Sequence, residues 1–436
     1  MDKASFDDVL ARAARRSWRA AKGSGPVLSI RYPQHLEPEE HGAVFEALER
    51  VEFVSRMLDV SLRLTGGGFG CVDFEFSTEG ASPSQVDALV ESETFKAALD
   101  ATGATQFSIS RTTEPKTWTK LSSQNVYIFT NRSRDGDGFG AEPADHLSGR
   151  IYEVECAAEQ GKAAAGRPIW KRLAPALFRG GKPQPKVTSL RELSAEETAA
   201  AAAAGGRPVL LHVHGVATSF RDAVIDTAEL AMNLEVGKLG LTPCLFTWPS
   251  DGPVTGYDGH TRKAERSEKP LADLLAILRT QTEHVDVVAH SHGNKLLLRA
   301  AGRFRTDDKV IHEALLVAPD VDHGVMQDLL PDLARIAEHS TLYFCSHDVA
   351  LKLSEGKFGA PRAGSVGIDA GHLNVDCVNV DSIVRGPVAH SYHANTQLVV
   401  ADMHYTLSGL SPDRRYGLTA SGKPRVFVYE PLKKAA

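Results

Sequence analysis

The chain has 436 residues, a formal net charge of -6, 42% hydrophobic and 24% charged residues. That length exceeds one ordinary domain, so an enzyme-sized unit with an appended module is expected, and the balanced composition excludes a largely disordered chain. The mild acidic excess gives no electrostatic reason to expect nucleic acid, and no run reaches the ~20 apolar residues of a transmembrane helix. Five scattered cysteines (Cys71, Cys156, Cys244, Cys345 and Cys377) form no close pair, as expected of buried thiols in a reducing compartment. The N-terminus lacks a signal-like apolar segment. Its basic, alanine-rich Arg12 to Lys22 stretch is interrupted upstream by Asp2, Asp7 and Asp8, which weakens a transit-peptide reading. A cytoplasmic protein is expected.

In chain order, a basic N-terminal helix is followed by a strand at Pro26 to Tyr32 and a helix over Glu39 to Leu64, whose apolar residues recur at helical spacing. A strand at Phe69 to Ser77, a helix at Ser84 to Ala101 and a strand at Thr105 to Arg111 complete an α+β module. Its Gly66-Gly67-Gly68-Phe69-Gly70 run lacks the Lys-Ser/Thr ending and the spacing of a phosphate loop, and reads as a turn. Strands at Val126 to Thr130 and Arg150 to Val154 are joined by a loop rich in Gly, Asp and Pro. Residues Arg167 to Leu190 read as a surface connection, and Ser194-Ala195-Glu196-Glu197 as a capping box that opens an alanine-rich helix stopped by Gly205-Gly206.

From there strand and helix alternate. Strands are expected at Pro208 to Val213, Pro243 to Thr247, Val285 to Ala289, Glu313 to Ala318, Thr341 to Cys345 and Val375 to Val380. Helices are expected at Phe220 to Leu234 and Ala264 to Thr280, and starting from Asn294, Met326 and Asn395. Strands this apolar, spaced by helices, belong to an α/β fold whose mostly parallel sheet is covered on both faces and places its chemistry at the strands' carboxyl ends. No internal repeat is apparent.

One stretch carries chemistry. Ala289-His290-Ser291-His292-Gly293 follows an apolar strand and opens a helix, the layout of a nucleophile elbow in which small neighbours tolerate the strained serine. A serine hydroxyl needs an imidazole to take its proton and a carboxylate to fix that imidazole. In the order serine, acid, histidine, each after a strand, Asp348 is the leading acid with Asp320 as alternative. His390 is the leading base with His393 as alternative, the latter read as a surface residue at a helix start. The backbone N–H groups of Val216 and His292 are the candidate oxyanion donors, Gly215 letting the backbone turn toward the serine. The glycine- and proline-rich Trp248 to His260 stretch is a candidate lid or pocket wall.

The histidines permit a second reading. His212-Val213-His214 and His290-Ser291-His292 each place two imidazoles on one side of an extended segment and, with Asp320 and Asp322, form a possible metal site. Two such positions in a buried strand more often hold a satisfied core histidine, so no metal and no cofactor is expected.

The chain from about Val126 onward resembles a bacterial α/β-hydrolase family of unassigned function. The resemblance rests on Thr130-Asn131-Arg132 with Phe139-Gly140, Val213-His214-Gly215, Thr247-Trp248-Pro249-Ser250-Asp251-Gly252, Ala289 to Asn294, Ala318-Pro319-Asp320-Val321-Asp322 and His390-Ser391-Tyr392. It implies the α/β-hydrolase fold and a Ser291, Asp348, His390 triad. Ala217 and His292 depart from the family's usual Asn and Met, which changes pocket lining but removes no backbone donor.

The expected organisation is therefore an N-terminal α+β module, 1–118, and an α/β-hydrolase domain, 119–436. The expected activity is cleavage of a small acyl ester or thioester through an acyl-enzyme, with the N-terminal module available to a protein partner. The competing expectations are a metal-dependent hydrolase and a non-catalytic hydrolase-fold scaffold.

Overall fold

The computed structural model describes residues 27–31, 62–66, 73–78, 82–100, 106–110, 116–119, 121–136, 138–157, 185–250, 257–369, 373–384 and 389–429. The chain divides into two compact units, one gathering Met1–Ser122 and the other Ser123–Cys156 with Ala165–Leu432.

In the first unit, strands β1 (Val27–Arg31), β2 (Leu62–Gly66), β3 (Asp73–Thr78), β4 (Gln106–Ser110) and β5 (Lys116–Thr119) form an antiparallel sheet in the order β2-β3-β1-β4-β5. The helix expected over Glu39 to Leu64 gives way at its end to β2, and the rest of that segment lies outside the described residues. Leu62 and Leu64 lie two apart, as they would on one face of a strand, and a helical count through the region hides that alternation. The helix expected over Ser84 to Ala101 is two helices, α1 (Pro83–Glu91) and α2 (Glu93–Asp100). Ser92 sits between them with extended backbone, and Ser82 opens the first with a capping box to Gln85.

The second unit is built on one large sheet. Its strands are β6 (Leu121–Asp135), β7 (Gly138–Ala157), β8 (Lys186–Leu193), β9 (Val209–Val213), β10 (Thr242–Thr247), β11 (Val285–His290), β12 (Ile311–Val317), β13 (Ala337–Phe344), β14 (Val375–Asn379), β15 (Leu418–Ala420) and β16 (Val426–Tyr429). Their spatial order is β15-β16-β14-β13-β12-β11-β9-β10-β6-β7-β8. Neighbours from β6 through β16 pair in parallel, while β15 with β16 and β7 with β8 pair antiparallel.

The period of two along each strand explains why both faces are covered. On β11, Val285, Val287 and Ala289 enter one apolar cluster while Val288 enters the other; β12 divides the same way, with Ala314 and Leu316 against Leu315 and Val317. The first cluster is completed by helices α3 (Ala195–Ala202), α5 (Tyr257–Gln281), α6 (Gly293–Ala301) and α7 (His323–Ile336). The second is completed by α4 (Phe220–Asn233), α8 (Val349–Phe358), α10 (Tyr392–Asn395) and α11 (Gln397–Leu407); a short α9 spans Ala363–Val366. This is the α/β-hydrolase arrangement, with strands of continuous apolar residues buried on both sides.

Some elements differ from the sequence-based expectation. The Gly-, Asp- and Pro-containing stretch before Arg150 is mostly strand, since β6 and β7 leave only a short turn at Gly136, where φ is +55°. The end of the expected surface connection is β8, an edge strand whose exposed polar face masks it in a hydropathy pattern. Ser194 does cap α3 as its motif predicts: its hydroxyl accepts from the Glu197 N–H at 3.1 Å, and its own N–H donates to Glu197 Oε2 at 2.9 Å. No described helix is long and apolar enough to cross a membrane.

Candidate active site

Ser291 stands at the carboxyl end of β11 with φ +55°, a backbone conformation that costs a non-glycine residue and is retained where surrounding contacts impose it. Those contacts are explicit. The Ser291 carbonyl accepts from Asn294 N at 3.2 Å, Asn294 Nδ2 at 3.0 Å and Asp320 N at 3.2 Å, while its own N–H donates to Val317 O at 3.0 Å. Asn294 also donates to Val317 O at 3.0 Å, tying the elbow to β12.

Two glycines set how closely the chain can pass. A Cβ on Gly293 would lie 2.4 Å from the Val213 carbonyl oxygen and 2.7 Å from that of His214, so only glycine lets α6 start this near β9. A Cβ on Gly215 would lie 3.0 Å from the Ser291 Cβ, which places the loop after β9 directly against the serine. Val216 follows in that loop, half-buried, and Ala217 has φ +55°. Ala289, at the first small position of the motif, is fully buried in the core.

His390, Asp348 and Ser291 meet. His390 lies in a 3-10 turn at Ala389–Ser391, with Nε2 2.9 Å from Ser291 Oγ and Nδ1 2.8 Å from Asp348 Oδ2. Asp348 is fully buried and caps α8, its other oxygen accepting from Ala350 N at 2.9 Å and Leu351 N at 3.2 Å. Helix capping and the imidazole contact thus use different oxygens of one carboxylate. Burial alone would lower the His390 pKa, but the Asp348 charge and hydrogen bond, with help from Asp320, leave it above the ordinary imidazole value.

The alternative residues occupy other positions. Asp320 accepts from the Ser354 hydroxyl at 2.6 Å and lies 3.6 Å from Arg362 Nε. His393, expected at the surface, is buried on α10 with its ring 4.2 Å from that of His290, and burial pushes its pKa down to about 3. His290 donates from Nε2 to the His390 carbonyl at 2.9 Å; burial, then the neighbouring His393 and His390, hold it well below the ordinary value. A neutral imidazole therefore braces the backbone of His390.

The possible metal site of the sequence reading does not assemble. His212 Nδ1 pairs with Thr227 Oγ1 at 2.8 Å, while His214 pairs through Nδ1 with Gly215 O at 2.8 Å and through Nε2 with Thr247 Oγ1 at 3.0 Å. Asp322 caps α7 through Val325 N at 3.1 Å. Among the described residues, the side-chain groups close enough to share an ion are His284, Asp286 and His312, and Cys345, His347 and Asp381, none of them from this set.

Several residues that the motifs contain, but whose work sequence reasoning missed, brace the site. Arg132, buried, donates to Thr247 Oγ1 at 3.0 Å and Thr218 O at 2.9 Å, fastening the loop after β9 to β6 and β10. Ser250 donates to Thr218 O at 3.1 Å and accepts from Thr218 N at 3.3 Å. Trp248 donates from its indole to His214 O at 2.9 Å and lies 6.0 Å from the His292 ring. Trp248 and Ser250 are fully buried, Trp248 within the core, and Tyr257 to His260 begin α5, so these parts of the expected lid are interior and helix; residues 251–256 lie outside the described residues. Tyr392 accepts from Ala318 N at 2.9 Å and donates to Tyr343 O at 2.7 Å, joining the ends of β12 and β13 beside the triad.

This geometry gives context to the comparisons with known proteins. Residues 193–404 match the family described as "Alpha/beta hydrolase of unknown function (DUF900)". The hydrolase part of the chain belongs to that family. No curated protein matches the chain in sequence. Among solved structures, an esterase of Pyrococcus furiosus is similar at 12% identity and TM-score 0.29, covering 47% of this chain and 81% of that one. An esterase of Pyrobaculum calidifontis is similar at 11% identity and TM-score 0.29, covering 66% and 85%. A ferulic acid esterase from Streptomyces cinnamoneus is similar at 10% identity and TM-score 0.31, covering 70% and 95%.

Proposed function

We propose that this α/β-hydrolase cleaves a carboxylic ester or thioester through an acyl-enzyme, with Ser291 as nucleophile, His390 as general base and acid, and Asp348 as the group that orients the imidazole. The observation that carries the reading is the unbroken chain from Asp348 Oδ2 through His390 to Ser291 Oγ, at 2.8 and 2.9 Å, ending on a serine held at φ +55°. Both distances lie within the reach that proton transfer requires.

With the Nδ1 proton held by Asp348, Nε2 presents its lone pair to the serine hydroxyl. Ser291 Oγ attacks the carbonyl carbon as His390 takes its proton. The carbonyl electrons move onto oxygen, and the N–H groups of Val216 and His292 donate hydrogen bonds to the resulting oxyanion; one such donor is worth ~3 kcal/mol in the transition state. The tetrahedral species collapses, the ester bond breaks, and His390 returns the proton to the departing alcohol or thiol. Water then repeats the sequence, releasing the acid and restoring Ser291. The catalytic domain is assigned to 119–436, and residues 1–118 remain a separate module in this reading.

Burst kinetics with a 4-nitrophenyl ester test it. About one equivalent of nitrophenol per protein should appear before the steady state, and Ser291→Ala should remove both phases. A steady rate retained in that variant would overturn the proposal.

A further inference from the structure

A cavity of about 340 Å³ opens beside the elbow. His292 contributes to its wall, and so does Asp320, whose backbone N–H holds the Ser291 carbonyl. Its volume is at the small end of ligand sites. Val321, Val325 and Phe358 supply an apolar surface, but three cations, Lys295, Arg262 and Arg362, share it.

The donors and acceptors of this wall are unequally committed. Asp320 is engaged by the Ser354 hydroxyl and by Arg362, and Asp322 by the amide of Val325. Lys295, on the first turn of α6 and half-buried, has Glu265 and Asp320 as acidic neighbours that act through charge and not through a hydrogen bond, and Arg262 on α5 is exposed. Arg362 is buried with its guanidinium 4.9 Å from the Phe358 ring centroid, and its Nε has no hydrogen-bond partner. Asp320 already supplies a counter-charge to Arg362, so the cost of partly burying an incompletely compensated cation falls on Lys295. Burial, then neighbouring Arg299, lowers the Lys295 pKa, while Glu265 and Asp320 oppose the shift.

We infer that this cavity is a specificity subsite for substrates that carry an anionic oxygen group, a carboxylate or a phosphate, a short aliphatic chain away from the scissile ester. Lys295 is the principal contact, with Arg262 at the mouth and Arg362 behind. This deepens the serine-hydrolase reading and rests on it for the position of the scissile bond. The apolar wall accepts the spacer, and the ammonium accepts the terminal charge.

Two measurements separate this subsite from the chemistry. In the full-length Ser291→Ala protein, calorimetric titration with adipate and with inorganic phosphate reads anion binding without turnover, and the stronger of the two identifies the preferred group. Adding Lys295→Met should weaken that binding about tenfold or more, the scale of a lost charge-assisted hydrogen bond, while Lys295→Arg should retain most of it. In the active enzyme, kcat/KM for the mono-4-nitrophenyl ester of adipic acid should exceed that for its neutral methyl ester, and Lys295→Met should reduce that ratio about tenfold. Binding of neither anion, or a ratio that Lys295→Met leaves unchanged, overturns the subsite even when Ser291 hydrolyses both esters. Anion binding lost in Lys295→Met, together with hydrolysis of neither ester, supports the anion site and overturns the hydrolase reading instead.

Discussion

The two ends of strands β11 to β14 are both rich in histidines and carboxylates, and they use them in opposite ways. At the amino end, Asp286 binds His284 and His312 at 3.1 and 3.0 Å, and His339 bridges Glu313 and Asp376 at 2.7 and 3.0 Å. These imidazoles are partly open to water, and their carboxylates hold His312 above the ordinary value and His339 at about 9 against the cost of burial. At the carboxyl end, burial keeps His212, on adjoining β9, and His292 at about 4 and His393 at about 3, whereas His390 is raised through Asp348. The amino end is an ion-pair network; the carboxyl end is a set of neutral imidazoles around one polarised base. Titratable residues alone therefore do not distinguish the two ends. A serine in a strained conformation within reach of an imidazole does.

The comparison can be broken most forcefully by removing one carboxylate from each end. Asp348→Asn should lower kcat by about ten-thousandfold, because the imidazole loses its tautomer and its compensating charge. Asp286→Asn should act on thermal stability, with kcat kept within a fewfold. A large kcat loss in Asp286→Asn would erase the distinction.

The close approach of α6 to β9 gives the next effect. In Gly293→Ala the new methyl meets backbone oxygens that cannot rotate away, so a loss on the order of 3 kcal/mol is expected in denaturant unfolding. Gly259→Ala, with nothing within 4 Å of its Cβ, should be neutral or slightly stabilising.

pH separates the two ends by sign. The raised His339 stabilises fully below the unfolded imidazole pKa near 6.5, and that contribution is lost as pH rises through about 9. Glu313 is held above its usual value by burial although His339 opposes this, so the net amount is smaller than the imidazole alone implies, on the order of 2 kcal/mol. His339→Gln should flatten this alkaline decline. At the carboxyl end, His212, His292 and His393 have lowered values, so the unfolded state takes up protons first and stability falls as pH drops below ~6.5. Activity should also fall on acidification, with its acid limb above the ordinary imidazole value, because His390 must be neutral to act as base.

The smallest effect sharpens the choice between acids. Asp320→Asn should change kcat by no more than about tenfold, since this carboxylate binds Ser354 and Arg362 and influences His390 only from a distance.

The elbow was readable in the sequence because it is local: an apolar strand, a serine between small residues and a helix lie within about a dozen positions. The sheet was readable for the same reason, since strands buried on both faces are continuous apolar runs. The choice between Asp348 and Asp320 was only partly readable, because both follow a strand and both could order a turn; what distinguishes them is which carboxylate faces His390. His393 was misread because the short α10 is buried rather than resting on the surface. The bracing by Arg132 and Tyr392 was hidden, since their partners lie 115 and 74 residues away, respectively, at Thr247 and Ala318. Short β15 and β16 offer too few positions for an alternation to register.

The most direct test of the central claim is labelling with a fluorophosphonate followed by peptide mapping. The account predicts a single modified residue, Ser291, with labelling absent in Ser291→Ala and slowed severalfold or more in Asp348→Asn. Equal labelling of wild type and Ser291→Ala, or a label mapped to another residue, would contradict it.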